Sequence, residues 1–218
     1  MPGEASVPTA AGKGEAMILH EYAPSGNCYK IRLTAALLGL PIERRGYDIL
    51  AGETRTPAFL AEVNANGRIP VLQIDERFLP ESNAACWYLA HGTPLIQEER
   101  FAQADMLRWM FFEQYNHEPN IATLRFWRTM VGEAALSEGQ RALIPGKQAG
   151  GEAALALMEA ELGGRRFLAG DALTLADIVL FAYTHVAGEG GFNLAACPAI
   201  RRWIDAVEAL PGFVPITA

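Results

Sequence analysis

Residues 17–30 read MILHEYAPSGNCYK, and the change of period inside this stretch decides the fold. MILHEY, residues 17–22, is short and apolar enough for a strand, and the proline at 24 ends it. From Asn27 to Gly39 the residues NCYKIRLTAALLG place Ile31, Ala35 and Leu38 on one helical face, and Gly39 followed by Pro41 stops that helix. Between strand and helix stands Ser25, three residues before Cys28. In thiol redox folds this turn carries C-x-x-C, because a helix N-terminus stabilises a thiolate on the first cysteine and the second lies within reach of it. Here an oxygen replaces the first sulfur. A thiolate handled at this turn therefore has to come from a bound molecule, with the Ser25 hydroxyl left to donate a hydrogen bond to it.

Working outward, IERRGYDI reads as a second strand and TRTPAFLAEVN as a short helix with its proline in the first turn. PVLQID and RFLP, joined through Asp75 and Glu76, predict a hairpin, and ESNAACWYLAH predicts a helix begun by Glu81 and Ser82. The order βαβαββα gives a parallel strand pair extended by an antiparallel hairpin, the layout of an α/β thioredoxin-like domain. Its expected span is 17–91, after a disordered leader over 1–16. Gly92, Thr93 and Pro94 open a linker over 92–98, and from 99 to 218 every long window is helical, so the second domain is all-α. GGEAALALMEAELGG stands there between glycine pairs. In DALTLADIVLFAY, Thr174 and Asp177 form an S/T-x-x-D/E capping box before a nearly unbroken apolar run, which predicts a central, buried helix.

The chain has 218 residues, half of them hydrophobic, and a formal charge of −7. That is enough for two cores, and the acidic balance argues against a nucleic-acid partner, which requires a basic surface. The arginine pairs at 44–45, 165–166 and 201–202 are scattered and read as solvated surface. Three widely spaced cysteines, Cys28, Cys86 and Cys197, fit neither a disulfide framework nor a zinc pattern and point to a reducing cytoplasm. No stretch resembles a signal peptide or a membrane span, so no membrane association is expected. The four histidines lack metal-type spacing, and no metal is assigned.

Four stretches in order, SGNCYKIRL, NGRIPVL, ESNAACWYLA and FLAGDALTLADIVLFA, resemble the glutathione transferase family over nearly the whole chain after residue 16. The resemblance implies a thioredoxin-like domain that binds glutathione as co-substrate and a helical domain that supplies most of the pocket for a small electrophile. Ser25 falls where the family places its activating hydroxyl, and the S-x-x-C form looks like the theta and zeta groups. Asn27 matches an asparagine of the bacterial nu-like group and is a candidate second donor to the sulfur, though asparagine is also a good N-cap. Ile69 and Pro70 match the family's cis-proline, whose preceding residue pairs its backbone with the cysteinyl part of glutathione. Glu81 and Ser82 match the pair that holds the γ-glutamyl ammonium and carboxylate, and a serine at a helix N-terminus beside a carboxylate suits both charges.

Two positions depart from the pattern: Thr54 stands where many relatives have histidine or glutamine, and Ala65 where many have proline. The glycyl carboxylate is left to Arg55 or Arg68. Cys28 lies one helical turn beyond the reactive position and reads as a small packed residue. Tyr115, in WMFFEQYNHEP, is a candidate for the second-substrate pocket, with plain core packing as the alternative. The resemblance also implies a homodimer. Its functional readings are a glutathione transferase, a nu-like disulfide or peroxide reductase using two glutathiones, or a binding protein that kept the fold and lost catalysis.

Overall fold

The computed structural model describes residues 16–218; the leader expected over 1–16 lies, but for Ala16, outside them. The described residues form two compact units, one ending at Ile96 and the other running from Gln97 to Ala218. In the first, β1 (Met17–Glu21) leads into α1 (Gly26–Leu38), followed by β2 (Glu43–Gly46), a 3-10 turn (Glu53–Arg55), α2 (Pro57–Glu62), β3 (Val71–Ile74), β4 (Arg77–Pro80) and α3 (Ser82–Ala90). This is the expected βαβαββα order. The sheet runs β2-β1-β3-β4, with β1 and β2 parallel and the other pairs antiparallel.

The local reasons follow the sequence. Gly39 takes a left-handed φ of 65° and its amide closes the last turn of α1, as a helix-ending glycine does without steric cost. Thr56 caps α2 by accepting from the Phe59 amide, and Pro57 sits in its first turn where no amide is needed. Asp75 and Glu76 make a two-residue hairpin loop in which Asp75 has φ 51°, the left-handed geometry that tight hairpins require. The first two turns of α1 are buried all round: Cys28, Tyr29, Lys30, Ile31, Arg32, Leu33, Thr34 and Ala35 are covered, while Leu38 is only half-buried. The single apolar face expected for this helix is therefore too narrow.

The second unit is helical, as expected, with α4 (Arg100–Phe112), α5 (Glu118–Phe126), α6 (Glu138–Gly163), α7 (Leu175–Thr184) and α8 (Pro198–Glu208). Two π-turns, Glu113–His117 and Trp127–Val131, follow α4 and α5. Helix α6 begins well before Gly150 and runs through Pro145, started by a Ser137–Gln140 capping box. The glycine pair at 150–151 therefore does not bound it. Gly151 serves close packing instead: a Cβ there would lie 2.4 Å from the Phe192 ring and 3.2 Å from Ile121. Helix α7 is buried from end to end. Asp177 is covered completely and accepts from the Leu168 amide at 2.9 Å, the Thr174 amide at 2.9 Å, the Thr174 hydroxyl at 3.1 Å and the Trp203 indole at 3.0 Å. Burial pushes its carboxyl upward, and these donors offset part of that. Among the described residues no helix is long and apolar enough to cross a membrane.

Candidate functional site

Strand register alone gathers the candidate residues. His20, at the end of β1, pairs with Val71 at the start of β3, and Val71 pairs with Pro80 at the end of β4. The segments that leave or enter at this end of the sheet are the turn to Ser25, the Ile69–Pro70 bond and the Glu81–Ser82 pair. Three stretches far apart in sequence thus meet at one edge because an antiparallel ladder reverses direction at each step.

Ser25 is held by its turn. Its amide donates to Tyr22 O at 2.9 Å, and its hydroxyl oxygen accepts from the Cys28 amide at 3.4 Å as the N-cap of α1. A hydroxyl has two acceptor lone pairs and one proton, so capping the helix leaves its proton for another acceptor. The loop before it is tied down from below. Arg32 donates to Ala23 O at 2.9 Å and lies 3.5 Å from the buried Glu21 carboxylate, which also receives the Arg44 guanidinium. Arg44, read from sequence as solvated surface, reaches this carboxylate although it is exposed overall. Cys28 is fully buried and accepts from the Tyr22 amide at 3.4 Å; burial pushes its thiol up to about 12. A thiol that stays protonated at neutral pH is no nucleophile, which agrees with its reading as a packed residue.

The Ile69–Pro70 peptide is cis, with Pro70 buried and Ile69 half-buried. Glu81 is exposed with φ 72°, a left-handed conformation that costs a side chain about 1–3 kcal/mol and clusters at ligand clamps. Ser82, buried, opens α3. Its hydroxyl donates to Asn27 Oδ1 at 3.4 Å, so the structure joins the turn of α1 to the start of α3 directly. Arg68 is exposed, and its carbonyl accepts from Asn64 Nδ2 at 2.9 Å. Arg55 donates to Asn66 O at 3.0 Å, and its guanidinium lies 2.5 Å from where a Cβ on Gly67 would stand; Gly67 also has φ 64°. Thr54 is buried beside them.

Sequence reasoning missed Lys30 and Asn83. Lys30 is fully buried, and its ammonium donates to Ser82 Oγ at 3.4 Å and to Asn83 Oδ1 at 3.3 Å. The available signal was spacing: Lys30 follows Asn27 by three residues and so shares its side of the helix. In the helical unit, Tyr115 is 80% exposed within the first π-turn, which rules out core packing.

Two family models match the chain, the glutathione S-transferase N-terminal domain over residues 24–91 and the C-terminal domain over 120–211. A glutathione S-transferase-like protein LUC7 from Fusarium sp is 33% identical over 178 residues, covering 77% of this chain and 78% of that protein. The crystal structure of a glutathione S-transferase from Pseudomonas fluorescens superposes with a TM-score of 0.87 at 43% identity, covering 93% of this chain and 99% of its own. The transcriptional regulator URE2 of Saccharomyces cerevisiae is 25% identical over 240 residues, covering 93% of this chain and 67% of that protein. Matched in both halves, and with relatives at these identities, the chain belongs to the glutathione S-transferase family.

Proposed function

We propose that this protein is a serine-type glutathione transferase that activates the thiol of bound glutathione for attack on a small electrophile. The observation that carries the reading is the convergence of the Ser25 turn, the cis Ile69–Pro70 bond and the Glu81–Ser82 pair at one end of the sheet, with Asn27 and Ser82 hydrogen-bonded. In this reading the Ile69 backbone pairs with the cysteinyl residue, and Ser82 donates to the γ-glutamyl carboxylate while Glu81 meets its ammonium. Ser25 and Asn27 face the sulfur. Arg68 takes the glycyl carboxylate, with Arg55 as the second candidate, both standing at exposed positions. The exposed Tyr115 ring supplies apolar surface for the second substrate.

Retention on immobilised glutathione tests the γ-glutamyl assignment. Ser82→Ala is expected to weaken it about tenfold or more, the effect of losing a hydrogen bond to a charged group. Retention unchanged by the substitution would remove Ser82 from the site. Native mass spectrometry separates the transferase from the reductase reading, which requires two glutathiones per subunit. Failure of the wild-type protein to consume glutathione with any electrophile, disulfide or peroxide, while still binding it, would leave the non-catalytic reading.

The protein is also proposed to be a homodimer. Phe101 and Phe111 of α4 are 77% and 62% exposed, two large apolar side chains that a second copy would cover. Light scattering at micromolar concentration should give about twice the 23.7 kDa chain mass. A single species at the chain mass would refute the dimer. All three cysteines are unbonded, which supports a reducing, cytoplasmic setting.

A further inference from the structure

We propose that Lys30 is a positioning residue that fixes the direction of the Ser82 hydroxyl and lends its charge to recognition of the γ-glutamyl carboxylate. The inference rests on the assignment of Ser82 proposed above. Lys30 is fully buried in α1, and its ammonium reaches Ser82 Oγ at 3.4 Å and Asn83 Oδ1 at 3.3 Å at the start of α3. An ammonium only donates, so Ser82 Oγ must accept from it and spend its single proton elsewhere. That proton points to Asn27 Oδ1 at 3.4 Å.

The result is a polarised relay, Lys30 to Ser82 to Asn27, with every donor direction set by the cation at its head. A ligand carboxylate arriving at Ser82 takes over the proton now shared with Asn27 and lies one hydroxyl away from a full positive charge. The relay also orients Asn27: with Oδ1 facing Ser82, its amide N–H groups are turned to the other side. A long amphipathic lysine could have left its head in water by extending its stem. Instead it is completely buried with its ammonium on two polar side chains of α3, which puts a positive charge directly behind the Ser82 hydroxyl.

The test compares glutathione with its analogue in which the γ-glutamyl α-carboxylate is converted to a carboxamide, by calorimetry on wild type and Lys30→Met. Wild type should prefer glutathione by about 30- to 100-fold, and the variant should cut that ratio by about tenfold. A role in packing alone would weaken both ligands equally and leave the ratio unchanged, which overturns the inference while sparing the glutathione reading. No binding of glutathione by wild type overturns both. Should Lys30→Met fail to fold, wild-type protein labelled with 15N-lysine gives the answer. The chain has three lysines, Lys13, Lys30 and Lys147, so the ammonium signals are readily assigned by substituting the other two. The Lys30 signal should shift with glutathione and not with the carboxamide; equal response to both, or to neither, refutes the proposal.

Discussion

Replacing Ser25 by alanine is expected to lower turnover with a small aromatic electrophile by about 10- to 1,000-fold, with little change in affinity for glutathione. The split follows from what the hydroxyl does. Free thiols titrate near ~8.5, and lowering that by about two units requires ~2.7 kcal/mol of preferential stabilisation of the thiolate. A hydrogen bond to a charged sulfur contributes roughly 1.5–3 kcal/mol and a helix N-terminus up to about 1 kcal/mol, so the two suffice without a cation at the sulfur. Ser25 Oγ already accepts from the Cys28 amide at the head of the 13-residue α1, which points its proton away from the helix.

The rate at saturating glutathione, followed against pH, isolates this effect. Its inflection reports the thiol of the bound molecule, and in Ser25→Ala it should move up toward the free-thiol value, so the deficit is largest near neutrality and shrinks in alkali. The variant also loses a helix cap, at about 1 kcal/mol, which lowers thermal stability without moving the inflection. Cys28→Ala should be far milder, because that thiol is buried and pushed up to about 12. If Ser25→Ala keeps both its speed and its inflection while chemistry limits the rate, the serine is only a cap. Loss of activity in Cys28→Ala instead would place the protein among thiol oxidoreductases working through a mixed disulfide.

The order of elements in the first unit was legible because its punctuation is chemical. Pro24 ends a strand, Gly39 supplies a left-handed cap, Pro57 opens a helix, and Asp75–Glu76 closes a hairpin. Such residues act locally, so a sequence carries their meaning without the rest of the fold. Lys30 was marked only by its spacing from Asn27, for the opposite reason. Periodicity sorts apolar from polar residues, and a lysine on α1 reads as solvent-facing until α3 is seen to supply Ser82 and Asn83. Helix α6 shows the same limit from the other side. Pro145 and the glycines at 146, 150 and 151 look like breakers, yet the helix continues, and Gly151 is small so that Phe192 and Ile121 can approach. The π-turn that carries Tyr115 leaves no mark in composition at all.

The capping box of α7 carries the largest expected effect on stability. Asp177→Ala should destabilise the helical unit by roughly 3–5 kcal/mol, as expected when several buried donors lose their shared acceptor. Asp177 is the acceptor for four donors from three places, the Leu168 amide, the Thr174 amide and hydroxyl, and the Trp203 indole. Truncation strands two buried amides and an indole at once, and each buried donor without a partner costs about 1–3 kcal/mol. It also unties the segment before α7 from α8, because Leu168 and Trp203 meet on the same carboxylate oxygen. Thermal unfolding followed by circular dichroism should show a midpoint lower by roughly 10–20 °C, given the usual few degrees per kcal/mol for a unit of this size. Asp177→Asn keeps one acceptor oxygen but turns an amide NH2 toward donors, so its loss should fall between wild type and alanine. A midpoint within about 2 °C of wild type for Asp177→Ala would mean that the donors find other partners, and that the box starts a helix without anchoring the core.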